Sequence, residues 1–225
     1  MKFFKKIGLT MLALSIGLSL INCQPRHAVK EKVKNSDLVL KTEDATRFKE
    51  ELESINATNK VSVHIPDSAR IVYANEQDIL NLTHGIVLLG WPSCPWFRNA
   101  IETLLEFAQE KKAAIYYLNI HDIRDIKEIG EHGEVVTTKA GSPGYEAILA
   151  KFNDILNPYT AVGVDSIKRI SSPTVLFIED GKAVHKVVST VVSQTNPAVK
   201  LDAAQREELK QRYDAYFTDE FSNHE

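Results

Sequence analysis

The sequence predicts an α/β fold in which a central mixed β-sheet is flanked by helices. Two continuous apolar runs, Gly85-Ile86-Val87-Leu88-Leu89-Gly90 and residues 113–120 (AAIYYLNI), have the length and branched composition of strands buried on both faces. Between them Ile101, Leu104, Leu105 and Ala108 recur at the i, i+3, i+4, i+7 spacing of an amphipathic helix, and strand, helix, strand in that order is a βαβ unit. Downstream, two strand-like runs meet at Asp180-Gly181, a tight-turn dipeptide that adds an antiparallel pair to the sheet. A chain of 225 residues, 44% hydrophobic and 25% charged, fits one globular domain with additions.

The elements follow in order. Residues 43–55 carry Phe48, Leu52 and Ile55 at helical spacing. Residues 61–65 (VSVHI) alternate like a short strand and stop at Pro66. Residues 71–74 (IVYA) form a second strand-like run, and 76–84 a short helix. After the βαβ unit, residues 121–143 show no regular period. A helix over 145–156 places Ile148, Phe152, Ile155 and Leu156 on one face. A strand beginning with Pro173 runs over 172–178, and residues 183–192 return as its partner. Asp202 N-caps the last helix, Gln205 completes a capping box, and Leu209, Tyr213, Tyr216 and Phe217 share one face. There is no internal repeat.

The N-terminus reads as an export signal, residues 1–22. Lys2, Lys5 and Lys6 precede an uncharged, mostly apolar run over 7–21, shorter than the ~20 residues a membrane span needs. The run ends Leu20-Ile21-Asn22-Cys23 with no small-residue cleavage site, and this resembles a bacterial lipobox, in which the cysteine is lipidated and becomes the mature N-terminus. Asn22 departs from the pattern, which has a small residue there; the alternative is an uncleaved anchor that contains a cysteine. Processing removes three lysines and no acid, moving the formal charge from −3 to −6, so attachment to a cell membrane would rest on the acyl chains rather than on charge. Residues 23–41 are polar and Lys-rich, a flexible tether, and 42–225 form the domain.

The chain has two cysteines, Cys23 and Cys94, which excludes a disulfide scaffold and an all-cysteine zinc site. With Cys23 lipidated, Cys94 is the one thiol left. It stands between the first central strand and the helix, followed by Pro95, which suits a first helical turn. Backbone N–H groups at a helix start stabilise thiolate over thiol, so a cysteine there can attack a disulfide. Equally, a lone cysteine at a strand end is often a small buried apolar residue, and Trp91, Trp96 and Phe97 could keep this one dry and inert.

The segments Leu88-Leu89-Gly90-Trp91-Pro92-Ser93-Cys94-Pro95-Trp96-Phe97 and Ser172-Pro173-Thr174, followed by Asp180-Gly181-Lys182, resemble the thioredoxin superfamily. Within it the likeness is to the bacteriocin transport accessory proteins of Gram-positive bacteria, and it covers roughly residues 60–217. The resemblance implies a thioredoxin-like sheet with an insertion before the strand that follows a cis-proline, here Pro173. It also implies an extracytoplasmic site at Cys94, with Trp91, Pro95, Trp96, Phe97, Ser172, Pro173 and Thr174 contacting an extended substrate chain. The family motif has a second cysteine where this chain has Phe97, giving C-P-W-F. A single thiol can form a mixed disulfide with an exported thiol protein but needs an external reducing thiol to release it. The alternative is a non-catalytic binding module of an export system. No cofactor is implied, and a monomer is expected. None of the seven histidines is spaced for a metal site, and the acidic charge gives no pull toward nucleic acid.

Overall fold

The computed structural model describes residues 38–222. The export segment, Cys23 and most of the tether lie outside the described residues. Helix α1 (Thr42–Glu53) buries Ala45, Phe48 and Leu52, and strand β1 (Ile71–Tyr73) follows. Helix α2 (Glu76–Asn81) starts at a capping box between Asn75 and Asp78 and leads into strand β2 (Gly85–Gly90). Helix α3 (Pro95–Lys111) and strand β3 (Ile115–Asn119) complete the βαβ unit. Two short strands, β4 (Ile126–Ile129) and β5 (Val135–Lys139), pair antiparallel ahead of helix α4 (Pro143–Lys151). A second small pair, β6 (Asn157–Tyr159) and β7 (Val164–Arg169), precedes strands β8 (Thr174–Glu179) and β9 (Lys182–Val188) and helix α5 (Ala203–Asp214).

The central sheet has the order β1-β3-β2-β8-β9, with β1, β3 and β2 parallel and β8 and β9 antiparallel. Every residue of β2 is buried because both faces of the sheet are covered. Strand alternation sorts its side chains: Ile86 and Leu88 join Phe48, Leu104, Phe107 and Tyr213 on one side, while Val87 and Leu89 join Ile79, Tyr145, Ile148 and Phe152 on the other. The β8–β9 turn places Asp180 and Gly181 at φ of 48° and 75°, the two positive values a two-residue primed turn requires.

Several expected elements differ. Residues 61–65 alternate buried and exposed as a strand would, yet they pair with no strand. Their N–H groups donate to side chains instead: Val63 to Asn56 Oδ1 (2.9 Å), His64 to Glu102 Oε1 (2.7 Å) and Ile65 to Glu53 Oε1 (2.8 Å). Residues 121–143 contain the β4–β5 pair, whose strands are too short and too exposed to show a hydrophobic period. Helix α4 ends at Lys151, so Phe152 and Leu156 reach the core from the turn beyond it. Helix α5 ends at Asp214, which leaves Tyr216 exposed. Leu38 and Leu40 pack against the second cluster, so the folded domain begins within the segment read as tether.

Candidate functional site

The site arises where β2 ends. Because β2 and β8 are antiparallel neighbours with Leu89 opposite Thr174, the residues leaving β2 and those entering β8 meet at one end of the sheet. One side is the turn from Trp91 to Cys94, closed by the Cys94 N–H donating to the Trp91 carbonyl (3.2 Å). Cys94 is the N-cap residue of α3, Pro95 occupies the first turn, and the Arg98 N–H donates back to the Cys94 carbonyl (3.0 Å). The other side is the Ser172-Pro173 loop, whose peptide bond is cis.

The two sides are tied directly. The Cys94 thiol donates to the Ser172 carbonyl (3.2 Å), and the Trp91 N–H donates to Ser172 Oγ (3.2 Å). Gly90 permits this approach, since a Cβ there would lie 2.5 Å from the Phe97 ring and 2.8 Å from Ser172 Oγ. The neighbouring carbonyls are also engaged: Thr174 Oγ1 donates to Ser171 (2.7 Å) and the Ser189 N–H to Pro173 (2.9 Å). Cys94 keeps 8% of its surface exposed, between exposed Ser93 and Pro95.

The residues expected to contact a substrate divide into two groups. Pro95 is exposed, and Trp91 and Trp96 are half-buried at the rim. Ser172, Pro173 and Thr174 are buried behind it. Phe97 is fully buried against Tyr117, ring centroids 5.9 Å apart, so it fills the core beneath the cysteine and offers no docking surface. Its side chain points inward because position i+3 from an N-cap on the sheet-facing side of α3 faces β2 and β3.

Two arginines that the sequence reading passed over shape the site. Arg98 is 1% exposed, and its guanidinium donates to the carbonyls of Pro92 and Leu52 (3.1 Å each), to the Val61 carbonyl and to Asn56 Oδ1. It fastens the Cys94 turn to the segment after α1, and burial pushes this guanidinium down from its ordinary value. Arg124 lies over the Trp91 ring at 4.2 Å, and His121 meets the same ring edge-on at 5.7 Å. A buried arginine carries no sequence signal distinct from an exposed one, because spacing alone does not reveal which carbonyls lack donors.

A groove of about 510 Å³ lies elsewhere, lined by His64, Pro66, Leu105 and the Glu102, Glu106 and Glu110 face of α3. Leu105 is eleven residues along the helix from Cys94, roughly 16 Å. None of the Cys94 loop residues lines the groove, and the ion pair of Arg206 with Glu106 borders it. Among the described residues, no three His, Cys, Asp or Glu side chains converge to hold a metal ion. No helix of the described residues is long and apolar enough to cross a membrane. No protein-family model matches the chain, and no curated protein matches it.

Proposed function

We propose that this chain is a thioredoxin-like, lipid-anchored protein of the extracytoplasmic face of the cell membrane, whose lone thiol, Cys94, forms mixed disulfides with exported thiol proteins. The observation that carries the reading is the Cys94 thiol at the start of α3, held against the Ser172 carbonyl beside cis-Pro173. The thiol loses its proton to solvent, and the thiolate attacks one sulfur of a disulfide. The new bond joins Cys94 to that sulfur, and the other sulfur leaves as a thiolate. With Cys23 blocked by its lipid, Cys94 is the one thiol of the chain, and an external thiol must cleave the mixed disulfide and regenerate Cys94. Loss of the thiol proton also ends the bond to Ser172, whose carbonyl then becomes an acceptor for a backbone N–H of the bound chain.

The test is to mix the full-length protein with a peptide disulfide, quench with acid and read the Cys94 peptide by mass spectrometry. A Cys94 adduct that dithiothreitol removes, and that Cys94→Ser lacks, is the expected result. A second reading, a binding module without chemistry, is favoured by the burial of Cys94 and the engaged carbonyls around it. It takes over if no adduct forms while the urea-unfolded chain is labelled. The same spectra report the acyl chains expected on Cys23, which Cys23→Ser would abolish.

A further inference from the structure

A cation without an ion-pair partner among the described residues lies against the turn that ends in Cys94. Arg124 sits 4.2 Å over Trp91, whose backbone carbonyl accepts the Cys94 N–H, and no carboxylate among the described residues pairs with its guanidinium. Of the two acids nearest in sequence, Asp122 contacts His121 (2.6 Å), and the fully buried Asp125 forms an ion pair with Lys127 (2.8 Å) although neither of its oxygens accepts a hydrogen bond. Lys139 donates to the Asp122 carbonyl (2.6 Å), adding a further positive charge at this edge. Arg169 lies within electrostatic reach of Arg124 and Asp125, stacks on Tyr159 at 4.0 Å, and has a buried Nη1 without a hydrogen-bond partner. Burial, and then the charge of Arg124, push the Arg169 guanidinium down from its ordinary value. Arg169 thus has the buried Asp125 carboxylate in reach, whereas Arg124, on the Trp91 ring, makes no ion pair among the described residues, in a chain whose net charge is negative.

Resting on the thiol-exchange reading above, we infer that the Cys94 site selects disulfides whose reacting sulfur lies close to carboxylates, with Arg124, held on Trp91, as the specificity-determining residue. Trp91 and Cys94 are the two ends of a four-residue turn, with Cα atoms under about 7 Å apart, so Arg124, stacked on the Trp91 ring, belongs to the rim that a disulfide meets on approaching the thiol. For carboxylates that come within about 10 Å of the guanidinium, one full charge alters an encounter rate by about three- to tenfold in dilute salt. Trp91 adds a rigid platform that holds the guanidinium in place. The chemistry is the balanced exchange already described: the Cys94 thiolate displaces one thiolate from the disulfide and keeps the other half.

Three aliphatic disulfides of nearly equal length test this: dianionic 3,3′-dithiodipropionate, neutral 2-hydroxyethyl disulfide and dicationic cystamine. Labelling of Cys94 in the full-length protein is followed by mass spectrometry, and each rate is divided by the rate with a free model thiol to cancel the probe's own reactivity. The normalised order expected is anion, neutral, cation, with about a three- to tenfold anion preference that collapses in ~1 M salt. Arg124→Gln should remove most of that preference, measured against the neutral probe in the same variant. A parallel pair of peptide disulfides, flanked by glutamates or by lysines, shows whether a protein segment is discriminated as the small probes are. Equal normalised rates, a faster cystamine, or an anion preference untouched by Arg124→Gln would overturn the inference and leave thiol exchange standing. Failure of every probe on the folded chain, with labelling of the unfolded one, removes both.

Discussion

Gly90, Phe97 and Arg98 hold the candidate site from below. A methyl group at position 90 would press on a packed ring and on the hydroxyl that accepts the Trp91 N–H. Gly90→Ala should therefore cost about 1–3 kcal/mol, read from the urea midpoint. Phe97→Cys removes a fully buried ring and should cost about 3 kcal/mol or more. It also places a thiol one helical turn from Cys94, so the oxidised variant is expected to hold an internal disulfide and to gain dithiol reductase activity, checked by turbidity of a reduced protein substrate. Arg98→Met leaves the Leu52, Val61 and Pro92 carbonyls without their shared donor. A loss of about 3 kcal/mol or more is expected, since bonds to a charged donor contribute about 1.5–3 kcal/mol each. The same residue ties α1 to the Cys94 turn, so amide exchange in both segments should rise together in that variant.

Among the elements, the helix starts are determined locally and the small strands are not. In α5 the Asp202 side chain accepts from the Gln205 N–H (2.8 Å) and Gln205 returns a bond to the Asp202 N–H (3.1 Å). Asp202→Ala should lower stability by about 1 kcal/mol in thermal or urea melts without moving the rest of the fold. By contrast, residues 61–65 have the alternation of a strand and none of its pairing. β1 pairs with β3, and the 61–65 backbone finds its acceptors on Glu53 of α1, on Asn56 just beyond that helix and on Glu102 of α3. Period-2 burial reports which side of a segment faces the core, and it is silent about what the backbone bonds to.

For the whole molecule, the decisive feature is a sheet covered on both faces, with α1, α3 and α5 on one side and α2 and α4 on the other. Its far edge, β9, carries His185 stacked on Tyr216 and close to Phe177. Burial, then the Arg212 and Lys186 charges, lower the His185 pKa from its ordinary 6.5. The unfolded chain consequently binds more protons than the folded one below pH 6.5. This contribution to stability is fully present above that value and is lost as pH falls toward the folded pKa. Guanidinium melts at pH 7.5 and pH 5 should show a larger loss for the native chain than for His185→Gln.

The sequence by itself determined the five-element succession around the βαβ unit, the Asp180-Gly181 turn and the capped start of α5, because each rests on local periodicity or on contacts within a few residues. It also located Cys94 at a strand-to-helix junction and Pro173 at the start of a strand. Only the tertiary structure decided that these two loops touch, since the contact depends on β2 pairing with β8, whose residues lie more than eighty positions apart. Packing of α3 on β2 and β3 turned Phe97 inward against Tyr117 and Gly90, and packing against α1 made Arg98 a buried staple. Those outcomes depend on which backbone carbonyls and ring faces are left unsatisfied once the sheet has assembled, a quantity that exists only in three dimensions.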